Sequence, residues 1–456
     1  MIAVGALPHA SSTVSIAKCP VGQPLSILHK YYQPGDSIIA GIFSQIYIFS
    51  SPISFQKQPS EERFDDLVMF TQNYQHILAL EFAVKEISEN PQLLPNVSLG
   101  FHILNSYFFA RWTYLASLEL LSTQDKFIPN YKCDRHSGIV GVIGGPNSEV
   151  CLHMTNILST YKIPQILYGS SPIINDKTKE DFFHQMFPNG THQYMGILEL
   201  LLHFKWTWIG VVAFDDDNGE IFKQDILPIF SLQGICVEFL ETMPKMSFSS
   251  DIVETAMEWF GTSHLVTGST ANTVIIQGEI HTISILRLIF HFAQFYDITA
   301  ESRVWIMIAQ MDFASPGFQR DWDIHFLHGA LSFASHTNYP RGFLKFLKER
   351  NPLSENRDGF IRVFWKDAFN CDFSDSTLDK EADNICSGDE KLEALPGTLF
   401  DTSMSGHSYS IYNAVYIMAY ALHAMISSQS KQRAKVKWIR QGRLNEEPWK
   451  VFCRTI

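Results

Sequence analysis

Residues 76–103 read HILALEFAVKEISENPQLLPNVSLGFHI, and the hydrophobic period changes once along this stretch. Ile77, Leu80, Ala83, Val84 and Ile87 recur at the three- and four-residue spacing of a single helical face. Pro91 ends that run, because proline lacks an N–H and disfavours helical backbone in the residue before it. Beyond it Val97, Leu99, Phe101 and Ile103 alternate with more polar neighbours, the period of two that sends side chains to opposite faces of a strand. A helix followed directly by a strand is half of an α/β unit.

The alternation continues outward. Residues 110–122 have helical spacing, residues 139–143 form a short apolar strand, and Gly144-Gly145-Pro146 makes a turn before a helix that Asn147 or Ser148 can cap. Residues 163–168 and 208–214 are further apolar strands, ending in Gly169-Ser170-Ser171 and Asp215-Asp216-Asp217-Asn218-Gly219. Residues 304–308 and 329–333 read as strands, and residues 279–292 and 408–425 as helices. The first 60 residues are patchier, with an apolar run at 38–49 as the candidate first strand. Short apolar strands separated by helices predict parallel sheets covered by helices.

With 456 residues and 46% hydrophobic composition, the chain exceeds what one compact α/β unit needs, so two lobes are expected. A charged fraction of 18% beside 13% aromatics argues for a folded chain. Lys and Arg number 35 against 47 Asp and Glu, and a net charge of -12 argues against nucleic acid as a partner. The densest basic stretch, 431–443, reads as a solvated loop. The apolar stretch 411–426 is interrupted by Asn413 and His423 and falls short of the roughly 20 residues a membrane span requires, so it reads as a buried helix. Residues 1–17 lack the cationic start and sustained apolar core of a secretory signal.

Seven cysteines, Cys19, Cys133, Cys151, Cys236, Cys371, Cys386 and Cys453, include no CxxC pair, so a zinc site is unsupported. Cys371 and Cys386 flank a polar, acidic segment without hydrophobic periodicity, a loop that a covalent clip would stabilise by about 3 kcal/mol. Two sequons, at Asn96 and Asn189, mark candidate glycosylation sites.

In open parallel sheets, ligands sit beyond the carboxyl ends of the strands, where loops and helix N-termini converge. Loops 144–148, 169–171 and 215–219 qualify. The first lacks the lysine of a phosphate-binding loop and the spacing of a dinucleotide fingerprint. It suits a carboxylate better, with the Ser148 hydroxyl beside free N–H groups, although plain helix capping fits equally. The acidic run 215–217 lacks the glycine and glutamate positions of an EF-hand and reads as a solvated loop. His325 and His328 are too close for a metalloprotease pair, and no HExxH or GxSxG motif occurs. No metal, cofactor or catalytic residue is expected.

Longer strings go further: NYQHILALEFA at 73–83, WTWIG at 206–210, DDDNG at 215–219, GHSYSIYNAVY at 406–416 and EPW at 447–449. In these the chain resembles vomeronasal type-2 receptors, from about Cys19 almost to its end. The resemblance implies the ectodomain of a class C G protein-coupled receptor, with an α/β periplasmic-binding-protein type I (Venus flytrap) fold. Each of its two lobes would be a mainly parallel sheet flanked by helices, and the clamshell would close on a ligand within a homo- or heterodimer. Lobe 1 would comprise residues 36–188 and 328–456, lobe 2 residues 189–327, and residues 1–35 an N-terminal extension, with the hinge near Pro188 and His328.

Relatives that sense amino acids hold the ligand carboxylate at positions matched here by Ser148, Gly169, Ser170 and Ser171. They hold the ammonium group with two acids and a tyrosine at positions that read Gly190, Asn218 and Gln310 in this chain. A buried ammonium without an opposite charge loses several kcal/mol of compensation, so a free amino acid is expected to bind weakly, with Asp215, Asp216 and Asp217 as substitute charge. The ligand implied is an extracellular peptide or an amino-acid-like small molecule. Cys371 and Cys386 match the family disulfide, Cys133 lies in the loop used for an intersubunit bond, and the counterpart of Cys236 pairs with a downstream cysteine-rich domain. The resemblance further implies the extracellular face of the plasma membrane, with a missing transmembrane part reaching the G protein. The alternative is a soluble secreted binding protein or decoy.

Overall fold

The computed structural model describes residues 26–49, 66–122, 138–171, 182–187, 190–243, 265–294, 303–373 and 384–435. Pro188, Asn189, Cys19, Cys133 and Cys453, and with them the expectations placed on them, lie outside the described residues.

The first part of the chain supplies β1 (Lys30–Gln33), β2 (Ser37–Phe43), β3 (Ile46–Phe49), β4 (Asp66–Met69), β5 (Leu99–Asn105), β6 (Gly138–Gly144), β7 (Gln165–Leu167) and β8 (Phe183–Gln185). Six of these form a sheet in the order β1-β5-β2-β6-β7-β8, parallel throughout except for β1 against β5. The apolar run at 38–49 is therefore not one opening strand. It breaks at the buried polar pair Ser44-Gln45 into β2, in the large sheet, and β3, which pairs with β4. Helices α1 (Tyr74–Glu89), α2 (Ala110–Leu120) and α3 (Ser148–Leu158) accompany these strands, and α1 gives way at Asn90 to extended backbone ahead of Pro91.

A second sheet follows, built from β9 (Trp208–Phe214), β10 (Cys236–Met243), β11 (Thr273–Gln277), β12 (Val304–Met307) and β13 (Leu331–Ser332) in the order β10-β9-β11-β12-β13. Every pairing in it is parallel. Its helices are α4 (Gly190–Phe204), α5 (Asp217–Ile221), α6 (Leu227–Leu232) and α7 (Thr282–Gln294). The chain then returns through α8 (Phe343–Lys348), α9 (Ile361–Phe369) and α10 (Gly406–Lys435).

Burial follows the same division. One core joins Ile39, Phe101, Ile143 and Leu167 to Phe364, Trp365, Ile411 and Val415, so the last segment packs back onto the first sheet. A separate core gathers Ile209, Val212, Phe230, Ile275, Ile289 and Ile306 around the second sheet. Central strands with apolar side chains on both faces are what helix-covered parallel sheets demand. Cys371 and Cys386 are disulfide-bonded and buried in the first core. Among the described residues, no helix is long and apolar enough to cross a membrane.

A third, small cluster lies where the two sheet units meet: Tyr47, Phe70 and Phe108 come from the first, Ile280 and Ala314 from the second. Beside it the Thr71 hydroxyl donates to the Ser315 carbonyl at 3.1 Å. This apolar seam brings the carboxyl ends of the two sheets face to face.

Candidate functional site

On the first sheet, β6 ends at Gly144 and the chain turns through Gly145, whose φ of +77° is left-handed. A Cβ there would strike the Cys151 sulfur. Asn147 caps α3 by accepting the Val150 N–H at 3.0 Å, which leaves Ser148 in the first turn with its N–H and hydroxyl facing outward. The second loop leans on the first. A Cβ on Gly169 would lie 2.2 Å from the Pro146 carbonyl oxygen, and the Cys151 thiol donates toward the carbonyls of Gly145 and Ser170 at 3.4 and 3.3 Å. Burial, then the charge of Glu279, pushes that thiol well above its ordinary pKa, so Cys151 is a packing group, not a nucleophile.

Two acids from the second sheet face this loop. Of the run 215–217, only Asp216 is buried, contrary to the expectation of a solvated loop; Asp215 and Asp217 stay exposed. The reason is local: Asp216 caps α5 by accepting the Gly219 N–H at 2.7 Å, which turns it inward. Glu279 follows β11 and is 5% exposed. It reaches across the seam, and one of its carboxyl oxygens accepts both the Ser148 N–H at 2.9 Å and the Ser148 hydroxyl at 2.8 Å.

The Glu279 and Asp216 carboxyl groups lie near enough that a charge on Asp216 disfavours one on Glu279. Burial, followed by the charge of Asp216, raises Glu279 to about 8, against the opposing pull of Ser148. His281 lines the same space, wedged between the rings of Phe108 and Phe214, and burial lowers it to about 4. What remains is a small cavity of about 30 Å³, enough to hold a water.

Phe108 reaches this cavity from a costly turn. Tyr107 and Phe108 both adopt left-handed backbone, with φ of 49° and 64°. Asn105 holds the turn by accepting the N–H groups of Gln45 and Tyr107, and the Ser44 and Ser106 hydroxyls lie 2.5 Å apart. A second polar contact crosses between the units at Asp312 and His407, whose Oδ2 and Nδ1 are 3.4 Å apart. Burial works against the Asp312 charge, yet His407 and then His76 keep its carboxyl below the ordinary range.

The description "Receptor family ligand binding region" matches residues 76–451. The chain belongs to this family. Vomeronasal type-2 receptor 26 of Mus musculus is 31% identical over 433 residues, covering 92% of this chain and 48% of the relative. The extracellular calcium-sensing receptor of Homo sapiens is 24% identical, with coverage of 85% and 37%. Taste receptor type 1 member 2 of Homo sapiens is 26% identical, with coverage of 92% and 48%. The chain thus spans about half the length, or less, of these curated relatives. The receptor family's fold is the periplasmic-binding-protein-like type I architecture, and the two mainly parallel, helix-flanked sheets are its realisation here.

Against that receptor-family frame, Ser148, Gly169 and Ser170 share one buried wall, and Ser171 follows half-buried. Asn218 is half-buried in α5, two residues past Asp216. Gln310 is tied to α4 by a 2.6 Å hydrogen bond from Gln193, whose own carbonyl accepts the Ala309 N–H at 2.9 Å. Asn96 is exposed, and so is the free Cys236. Sequence reasoning missed Glu279, His281, Tyr47 and Phe108. An available signal was the fourth strand-end loop, Gly278-Glu279, directly after β11. A larger hollow of about 580 Å³ opens between β4, the 317–321 segment and α9, lined by Arg320, Lys366 and Asp367, away from these strand ends.

Proposed function

We propose that the crevice between the two sheets is the ligand-binding cleft of an extracellular receptor domain. In the whole protein it would belong to a class C G protein-coupled receptor at the plasma membrane, working as a homo- or heterodimer and reaching the G protein through parts beyond this chain. Lobe 1 would be residues 36–188 with 328–456 and lobe 2 residues 189–327. Ser148, Gly169, Ser170, Ser171, Asn218 and Gln310 are the proposed ligand contacts, with no catalytic residue among them. The observation that carries this reading is the facing of strand-end loops: the Ser148 loop of one sheet meets the Asp216 and Glu279 loops of the other across an apolar seam. The kinship with vomeronasal, calcium-sensing and taste receptors supports it.

A hinged two-lobed binder converts differential affinity into closure. The two acids and the tyrosine that would clamp an ammonium group are replaced at Gly190, Gln310 and Asn218, so the cue is a peptide or another molecule that does not depend on that clamp. Calorimetry on the purified domain is expected to show binding of peptide fractions and only weak heats with free amino acids. Replacing Ser171 with alanine is expected to weaken a carboxylate-bearing ligand by about tenfold or more, the worth of one hydrogen bond to a charged group. Unchanged affinity in Ser171→Ala would remove that residue from the site, and tight binding of a simple amino acid would contradict the reading of the ammonium positions.

A further inference from the structure

The geometry points to Glu279 as a built-in ligand of the crevice: its carboxyl group fills the carboxylate position on Ser148, latching the cleft from within and keeping free carboxylates out. This rests on the crevice being the binding cleft, and names the residue that decides which chemistry the first loop accepts.

The two donors that a ligand carboxylate would seek, the Ser148 N–H and hydroxyl, converge on a single Glu279 oxygen at 2.9 and 2.8 Å. The next donor in the turn, the Val150 N–H, is already taken by Asn147. With both donors committed to that oxygen, a second carboxylate and Glu279 cannot be bound at the position together. The contact joins groups 131 residues apart on opposite sheets, so it exists only when the two units are shut. The buried His281 Nδ1, which lines the same cavity and has no hydrogen-bond partner, is a polar atom left over by the latch and open to an entering group. An entering molecule must therefore displace Glu279 and satisfy it elsewhere.

Acetate, the chemical end of the removed side chain, is the probe. In Glu279→Ala at pH 6 the domain is expected to open, read as a larger radius of gyration in small-angle X-ray scattering. Millimolar acetate should reclose it and raise its Tm, with at least tenfold tighter apparent binding than in the parent domain. Adding Ser148→Ala should abolish that response. Equal acetate response in parent and Glu279→Ala overturns the proposal. Ser148→Ala alone leaves Glu279 in place but removes its hydroxyl partner, so it too should open the crevice; an unchanged radius of gyration there overturns the proposal even if Glu279→Ala does not fold. The two readings separate cleanly: if the crevice is not the binding cleft, peptides bind to no variant while the acetate response persists. If Glu279 is not the latch, peptides bind and the acetate response is missing.

Discussion

Replacing Arg350 with methionine is expected to lower the unfolding free energy of the domain by about 3–5 kcal/mol, the usual consequence of stripping one partner from a buried ion pair. Arg350 is 7% exposed in its side chain and grips both carboxylate oxygens of Glu81, itself 13% exposed, at 2.9 Å each. A third bond, 2.5 Å, goes to Glu355, and the guanidinium lies 4.0 Å over the Phe346 ring. Burial opposes the arginine's charge, but Glu81, Tyr74 and Glu355 outweigh it and raise its pKa above the ordinary value. The same burial raises Glu355 to about 7, and Asp358, which accepts the Tyr74 hydroxyl, to about 6. These carboxyls therefore tolerate protonation. Glu81, the bidentate partner, is the one left stranded. Denaturant unfolding followed by tryptophan fluorescence measures the loss, and Arg350→Met combined with Glu81→Met should recover much of it, since both ends of the pair are then apolar. A loss below 1 kcal/mol in the single variant would contradict this account.

Closure of the crevice is expected to strengthen tenfold or more as pH falls from 9 to 6.5. Shut, Glu279 has a pKa raised to about 8; parted from Ser148 and Asp216 and wetted, it returns to the ordinary value near 4.5. Between those values the shut form holds one proton more than the open form. The closure constant therefore falls about tenfold for each pH unit gained through this window and levels off above about 8. The surrounding groups set the lower limit. His281, lowered to about 4 by burial, must shed a proton on closing between that value and its ordinary 6.5, which cancels the gain from Glu279 and flattens the profile there. Glu149, in the first turn of α3, also faces His281, and the raised Cys151 thiol stays protonated across the range. Scattering or intramolecular energy transfer between labels on the two units would trace this curve. Glu279→Gln, an amide whose oxygen still accepts from Ser148, should remain shut while losing the slope between pH 6.5 and 9. A flat profile in the parent domain would show that Glu279 does not take up a proton on closing.

Much of the fold was legible because its signals are local. Residues 208–214 form β9 as expected, and α1 and β5 fall within a few residues of their periodic patterns. Asn147 caps α3 through chemistry visible in four adjacent residues. Other features depend on distant partners. Lys30–Gln33 carries too few apolar residues to announce itself, and becomes a strand by lying antiparallel to β5. Asp215, Asp216 and Asp217 are identical in composition, yet only the one whose carboxylate turns back to Gly219 is drawn inside. The site was half legible: the serine side lies in a recognisable loop, whereas Glu279 matters through a residue far away in the chain. Phe108 escaped notice because a left-handed pair without glycine leaves no mark in a sequence.

Tyr47, Phe70, Phe108, Ile280 and Ala314 give the molecule a thermal character as well as a shape. Parting the sheets wets this aromatic patch, so opening carries a positive heat-capacity change, and the cost of wetting it is smallest in the cold, where apolar attraction is weakest, and rises on warming. Wetting the polar contacts on either side of the patch changes the heat capacity in the opposite sense. Body heat and a cold surface would thus set different resting balances for the same set of atoms.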